Sequence, residues 1–363
     1  MLKKRLQMNK QHSGLRSLLL ISIVLLNIEG FTQRTLTRSE AIKIAIQNNA
    51  GLKASELSVE ESRQLAKTAT EISKLNVLWL NGQYNSLNTD NNFTFSQNLP
   101  LPTTLAAQAR LGKAEYEGAR LNHSIYKQQL VHEVVNAFDQ LQLLQSALIL
   151  KKKQDSVLKS VFQAASKRFD AGEITLLEKI SAEAKSREMS QQLLQQESNL
   201  IIQQNKLRNL LRTSEEFNVI LEFTKVSAAE LITEPELTSN AIFKWSAQQI
   251  EIGNRFFKVQ KNQLMPDLTL GYFSQSLIGF QRVKNQELFF DRDKKFNGVQ
   301  LGLSVPLWAR PQIARSRAAA LQVKRLELKH DETRLEISRA LIEAKEEFKQ
   351  AEKNLQYFES FAN

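Results

Sequence analysis

Histidines and carboxylates have the widest chemical reach in this chain, and their spacing does not gather them. Of four histidines, three lie beyond the amino-terminal segment: His123, His132 and His330. His123 and His132 are nine residues apart, which at about 3.6 residues per turn places them on opposite sides of one helix. They cannot converge on a metal ion, so all three are expected as surface or packing residues, with no metal or cofactor site. The chain has no cysteine, which removes disulfides, thiolate nucleophiles, Cys-based zinc sites and a lipid-bearing cysteine. No glycine-rich phosphate loop is present. The many Glu-x-x-x-Lys pairs are helix-surface supports worth tenths of a kcal/mol each. With no catalytic constellation, an enzyme is not the expected function.

The segment Lys167-Arg168-Phe169-Asp170-Ala171-Gly172-Glu173-Ile174-Thr175 offers recognition rather than catalysis. Gly172 can take the left-handed conformation that ends a helix, and Thr175 can cap the next one. The spacing predicts an antiparallel helical hairpin with its tip at Gly172. By itself this describes an ordinary helix–helix turn.

The elements around it are unusually long. From Thr103 to Phe169 there is no proline, and Leu121, Ile125, Val131, Val134, Phe138, Leu141, Leu144 and Leu148 advance in threes and fours. A helix of this length would run about 100 Å at ~1.5 Å per residue, as in a coiled coil or helical barrel. Gly112 and Gly118 lie within it, at a kink or a close helix contact. The return helix is read from Leu176 to Leu211.

Much of this is written twice. Leu36-Thr37-Arg38-Ser39-Glu40-Ala41-Ile42 returns as Leu237-Thr238-Ser239-Asn240-Ala241-Ile242, and Pro100-Leu101 returns as Pro306-Leu307. An offset of roughly 200 residues indicates a duplicated unit rather than a solenoid. Each copy reads helix, strand, strand, long helix. In the first, a helix over 39–74 precedes strands over 77–85 and 93–98, with polar turn residues at 86–92. In the second, a helix over 239–262 precedes strands at Leu268 to Phe273 and Val299 to Val305, separated by a polar loop over 277–297. A long helix from Pro311 to Phe361 follows. Val299, Leu301, Leu303 and Val305 alternate with Gln300, Gly302 and Ser304, the dyad a barrel strand between lipid and water requires. A half-buried strand of a soluble sheet has the same pattern.

Basic residues up to Arg16 followed by the apolar run 18–26 read as a signal peptide over 1–33, too short for a spanning helix. The net +4 of that segment leaves +7 of the formal +11, interleaved with Glu along helices. Without basic runs interleaved with aromatics, nucleic-acid binding is not expected. The expected organisation is a signal peptide (1–33), a first repeat (34–216), a linker (217–236) and an incomplete second repeat (237–363). No segment after 33 is apolar enough for a transmembrane helix, so entry into a membrane would require a closed β-barrel.

This layout resembles the TolC-type outer-membrane efflux proteins. The similarity rests on Leu36-Thr37-x-x-Glu40-Ala41 with Asn48-Asn49, on Lys167-Arg168-Phe169-x-x-Gly172-Glu173, on Pro266-Asp267-Leu268-Thr269-Leu270-Gly271 and on Gly302-Leu303-Ser304-Val305-Pro306-Leu307. The block Phe95 to Pro102 is similar to members of the heavy-metal efflux subgroup. The resemblance implies a mostly α protein with membrane β strands: a homotrimer in which each subunit adds four strands to one barrel, continued by a periplasmic helical tunnel. It further implies the outer-membrane, lipid-embedded channel of a tripartite efflux or type I secretion system, a passive duct for small molecules or metal ions. A periplasmic adaptor and an inner-membrane pump would dock at the tip formed by Arg168, Phe169, Gly172 and Glu173. The sequence departs from the pattern in lacking a counterpart of the Gly172 turn and the last helix of the second repeat. The other reading is a periplasmic coiled-coil scaffold or adaptor whose strands form a small soluble sheet.

Overall fold

The computed structural model describes residues 34–84, 87–214, 216–221 and 237–362. The expected signal peptide (1–33) and most of the expected linker (222–236) lie outside the described residues. In chain order the elements are β1 (Arg34–Leu36), α1 (Arg38–Asn48), α2 (Ala50–Leu65), β2 (Asn76–Gly82), β3 (Asp90–Leu99), α3 (Pro102–Asp170), α4 (Leu176–Leu211), β4 (Phe217–Val219), α5 (Ala241–Asn262), β5 (Asp267–Ser276), β6 (Gly279–Val283), β7 (Gln286–Phe290), β8 (Lys295–Ser304) and α6 (Arg310–Ala362). Short 3-10 turns follow α2 (Ala66–Thr70) and precede α5 (Leu237–Ser239). No described helix is long and apolar enough to cross a membrane.

The described residues fall into two compact units, one within 1–48 and 132–223, the other within 49–131 and 224–363. In the first, the carboxyl-terminal part of α3 packs on α4 and α1. Val134, Ala137, Phe138 and Leu141 recur at helical spacing and are buried with Leu207, Leu211, Leu36, Ala41 and Ala45. Burying a side chain the size of Phe138 contributes about 1.5–3 kcal/mol. Buried amides set the helix register: Gln203 Nε2 donates to the Ala137 carbonyl at 2.9 Å and Gln196 Nε2 to the Leu144 carbonyl at 3.1 Å. Arg38 meets Asp139 at 2.6 Å and ties α1 to α3. A short parallel pair, β1 with β4, joins Leu36 to Val219; β4 occupies the first residues of what reads in sequence as linker.

The second unit holds a four-stranded antiparallel sheet in the order β2-β3-β5-β8. Its helices connect at one end, through the turn before β2 and through α3 and α6 after β3 and β8. In this unit Gly118 sits where a Cβ would lie 2.8 Å from Ile252 Cδ1, and Gly112 where one would lie 3.0 Å from Ala66 Cα. Both glycines therefore mark close helix contacts. Gln248 Nε2 donates to the Ala114 carbonyl at 2.8 Å, and Asn262 Nδ2 to that of Thr103 at 3.0 Å.

Three sequence expectations are corrected. The single helix over 39–74 is broken at Asn49, whose backbone is extended and whose side chain accepts the Leu52 N–H at 2.9 Å, starting α2 afresh. Thr37 caps α1 reciprocally with Glu40, Thr37 N donating to Glu40 Oε2 at 3.0 Å and Glu40 N to Thr37 Oγ1 at 3.2 Å. The strand expected over 93–98 begins at Asp90, inside the polar segment read as a turn, and the preceding strand ends at Gly82. The polar loop over 277–297 contains a hairpin, β6–β7, turned at Lys284 and Asn285, both with positive φ (49° and 64°). Lysine at a left-handed position is an uncommon hairpin signal, which hid this turn from sequence patterning.

Candidate functional site

Two places hold the candidate machinery: the tip of the α3–α4 hairpin in the first unit and the four-stranded sheet in the second.

At the tip, Glu173 N–H donates to the Arg168 carbonyl and Gly172 N–H to the Phe169 carbonyl, each at 2.9 Å. With Gly172 at φ +76°, this is a Schellman termination that satisfies two orphaned carbonyls of α3. Thr175 then caps α4 in a capping box with Glu178, whose carboxyl is held below the usual glutamate range by the Thr175 backbone and side-chain hydrogen bonds. The four sequence-selected residues come together on this turn. Arg168 Nε meets Glu173 Oε2 at 3.1 Å, fully in solvent reach. Lys179 Nζ lies 4.7 Å from the centre of the Phe169 ring. Sequence reasoning missed the apolar neighbours Leu176, Leu177 and Ile180, which are exposed here. Their signal was apolar residues at the first turn of a helix, where core contacts are absent.

The register of the sheet is continuous across all four strands. One cross-strand row reads Val77, Phe95, Tyr272, Val299; a neighbouring row on the same face brings Gln97, Leu270 and Leu301 together, and the next Leu99, Leu268 and Leu303. Trp79 stacks on Phe93 on this face with centroids 5.8 Å apart. These apolar groups face outward: Val299, Leu301 and Leu303 are 75%, 72% and 68% exposed. On the opposite face, rows read Asn76, Ser96, Gly271, Gln300 and then Leu78, Thr94, Phe273, Gly298. β3, β5 and β8 each have 10 residues, within the ~9–11 a tilted strand needs to cross a bilayer. The sheet is open, with β2 and β8 as edges.

At the end away from the helices, buried Asp90 accepts from the Ile278 N–H at 2.9 Å and from Ser276 Oγ at 3.2 Å, fixing the start of the β6–β7 hairpin. Phe280 and Phe289 pair on that hairpin with centroids 5.2 Å apart.

His123 and His330 join helix pairs, while His132 is exposed and pairs within its own helix. His123 Nδ1 lies 2.7 Å from Ser55 Oγ, His330 Nδ1 2.7 Å from Ser246 Oγ, and His132 Nε2 2.9 Å from Asn136 Nδ2. Among the described residues no three metal-ligating side chains converge. An open cleft of ≈ 440 Å³ is lined by Leu65, Ala69, Glu71, Gln108 and Glu115. Burial there pushes the Glu115 carboxyl up.

Residues 41–212 match the family model of the outer membrane efflux proteins. No curated protein sequence matches the chain. Among solved structures, it is similar to the outer membrane protein VceC of Vibrio cholerae, with 15% identity and a TM-score of 0.66, over 82% of this chain and 75% of VceC. It is similar to the CmeC outer membrane channel of Campylobacter jejuni, with 14% identity and a TM-score of 0.62, over 82% of this chain and 67% of CmeC. The open-state MtrE outer membrane channel of Neisseria gonorrhoeae shares 13% identity and a TM-score of 0.56, over 83% of this chain and 71% of MtrE.

Proposed function

From the match of residues 41–212 to the outer membrane efflux protein family model, we propose that the chain is the outer-membrane channel component of an efflux system, a passive exit duct. The observation that carries this reading is the two-faced sheet, with exposed apolar rows through Tyr272 and Val299 on one side and, on the other, amides, hydroxyls and glycines broken by Leu78, Leu80, Phe273 and Phe296 nearer the far end. In water the apolar face is costly; against lipid it is stabilising. A soluble scaffold, the other reading of the sequence, would leave Val299, Leu301 and Leu303 in water and has no observation in its favour.

An open sheet cannot stand in a bilayer, because its edge N–H and C=O groups would be unpaired there. We therefore place β8 of one copy against β2 of the next in a homotrimer, closing one barrel. Helices α3, α4 and α6 then extend into the periplasm. Arg168, Phe169, Gly172 and Glu173 present the docking surface for a periplasmic adaptor and, with it, an inner-membrane pump. The exposed Leu177 and Ile180 supply the apolar part of that contact. Energy comes from the pump, and no chemistry is done by this chain.

Because the chain lacks cysteine, single cysteines test the sheet directly. In outer membranes, Gln300→Cys should react with a water-soluble maleimide and Val299→Cys should be protected. Equal labelling of both, or release of a monomer without detergent, sinks the channel.

A further inference from the structure

Past the last row of the sheet, β5 and β8 lead into the β6–β7 hairpin, one side of which is both aromatic and cationic. Phe290 of β7 packs edge-on against Phe296 of β8, with ring centroids 5.5 Å apart. Phe296 is in register with Gln275, on the Gln300 side of the sheet. Neighbouring residues of a strand point to opposite faces. Phe289 and its cross-strand partner Phe280, with the pair Arg282 and Glu287 beside them, therefore continue the Val299 side. Phe280 is 72% and Phe289 58% exposed.

The Val299 side also changes character along β8. Leu303, Leu301 and Val299 give way to Asn297, in the row of Trp79 and Phe93, and then to Lys295. Of the strand residues of the four-stranded sheet on this side, only Lys295 is charged. Aromatic rings mark the boundary between hydrocarbon and water in membrane barrels. Lys295 thus falls at headgroup depth, and the hairpin lies beyond the acyl chains. Over 279–295, Arg282, Lys284, Arg292, Lys294 and Lys295 outnumber Glu287, Asp291 and Asp293, a net +2. All five cations are exposed, and among the described residues none has a carboxylate partner. Asp291 Oδ1 is occupied by the N–H groups of Asp293 and Lys294, at 3.1 and 3.3 Å.

We propose that Lys295 and the β6–β7 hairpin hold an outer-leaflet lipid whose headgroup is a phosphorylated sugar. The inference rests on the channel reading above. Lys295 and Arg282 are unpaired donors on the lipid side, and an anionic phosphate is the acceptor that matches them best. Phe280 and Phe289 need an apolar partner at a depth where no acyl chain reaches. The C–H face of a sugar ring is such a partner, because it meets the electron-rich face of an aromatic ring. Glu287, opposite Arg282, can accept from sugar hydroxyls. A glycerol-based phospholipid would satisfy the cations and leave the Phe pair in water.

The test is native mass spectrometry of the full chain, extracted in detergent as its assembly and titrated with three probes. These are a diphosphorylated diglucosamine lipid (lipid A), the same lipid with both phosphates removed, and phosphatidylglycerol. The diphosphorylated lipid should bind about tenfold more tightly than either of the others, since only it offers both charge-assisted bonds and sugar rings. The double variant Arg282→Gln, Lys295→Gln should lose that preference. Phe280→Ser should weaken the diphosphorylated lipid and leave phosphatidylglycerol unchanged. Equal binding by wild type and the double variant overturns the proposal, as does phosphatidylglycerol binding as tightly as the sugar lipid. Where a substitution disturbs assembly, the three probes on the wild-type chain decide alone. A detergent-extracted trimer that takes up no lipid defeats this inference only. A monomer that needs no detergent defeats the channel reading, and this inference with it.

Discussion

The hydroxyl of Ser246 on α5 lies 2.7 Å from Nδ1 of His330 on α6. The first repeat carries the same clip, with Ser55 on α2 lying 2.7 Å from Nδ1 of His123 on α3. In each, Oγ also donates to the carbonyl three residues back, Phe243 or Leu52, at 2.8 Å. A hydroxyl has one proton, so with it on the carbonyl the histidine Nδ1–H must be the donor to Oγ. Duplication is thus recorded in a side-chain contact as well as in the order of elements.

Ser246→Ala leaves the His330 Nδ1–H without its acceptor on a helix pair. The expected loss is about 1 kcal/mol, the worth of one such hydrogen bond. Ser55→Ala should cost a similar amount, and chemical denaturation of the detergent-solubilised protein measures both. A loss confined to one of the two clips would show that they are not equivalent.

Gly298 lies directly under the Phe273 ring of the neighbouring strand, where a Cβ would overlap ring carbons. Gly298→Ala is expected to destabilise by about 1–3 kcal/mol, the usual range for overpacking. At Gly302 a Cβ would meet Thr269 Cβ at 3.4 Å, an ordinary contact, so Gly302→Ala should be near neutral. Thermal melting of the two variants side by side makes the comparison.

Glu115 and Asp155 should respond to pH with opposite signs. Burial raises the folded pKa of Glu115, so its relative stability is full below the ordinary glutamate value and is lost as pH rises through the raised one. Glu115→Gln should therefore stabilise at neutral pH, with the gain vanishing in acid. Asp155 is held low by its hydrogen bond to Lys159 and then by that to Ser190. Its contribution is present above the ordinary aspartate value and lost as pH falls through the lowered one, so Asp155→Asn should destabilise at neutral pH and less in acid. Melting temperature against pH for each variant reads both signs.

At the tip, stability and docking should separate. Gly172→Ala forces a Cβ into the left-handed region at φ +76° and is expected to cost about 1–2 kcal/mol. Arg168→Glu breaks an exposed ion pair worth no more than about 1 kcal/mol, yet it reverses the charge offered to a partner. It should leave melting nearly unchanged while raising accumulation of exported dyes in cells. Unchanged accumulation would remove Arg168 from the docking surface.

Local chemistry made most elements legible. Leu176–Leu211 was readable to the residue because Thr175 and Gly172 bound one end, and α3 because a proline-free run keeps a 3.6 period. The tip residues were legible for the same reason, since a helix end is specified by its own sequence. The break at Asn49 was also written locally, in the capping preference of asparagine, but an uninterrupted apolar stripe masked it. The exposure of Leu177 was hidden, because an apolar residue on a helix reads as core until its neighbours are known.

By itself, then, the sequence determined the types and order of most elements and the hairpin tip, which depend on residues within a few positions of each other, and the duplication, which a recurring motif reveals without any contact between the copies. Tertiary structure alone decided that β3 pairs with β5, aligning Phe95 with Tyr272 and merging the strand pairs of the two repeats into one sheet. It also decided that the apolar rows of all four strands share a face, that Asp90 is buried, and that serine and histidine meet in each repeat. Pairing and burial depend on which distant segments are adjacent in space, and a period of two or of 3.6 carries no record of that partner.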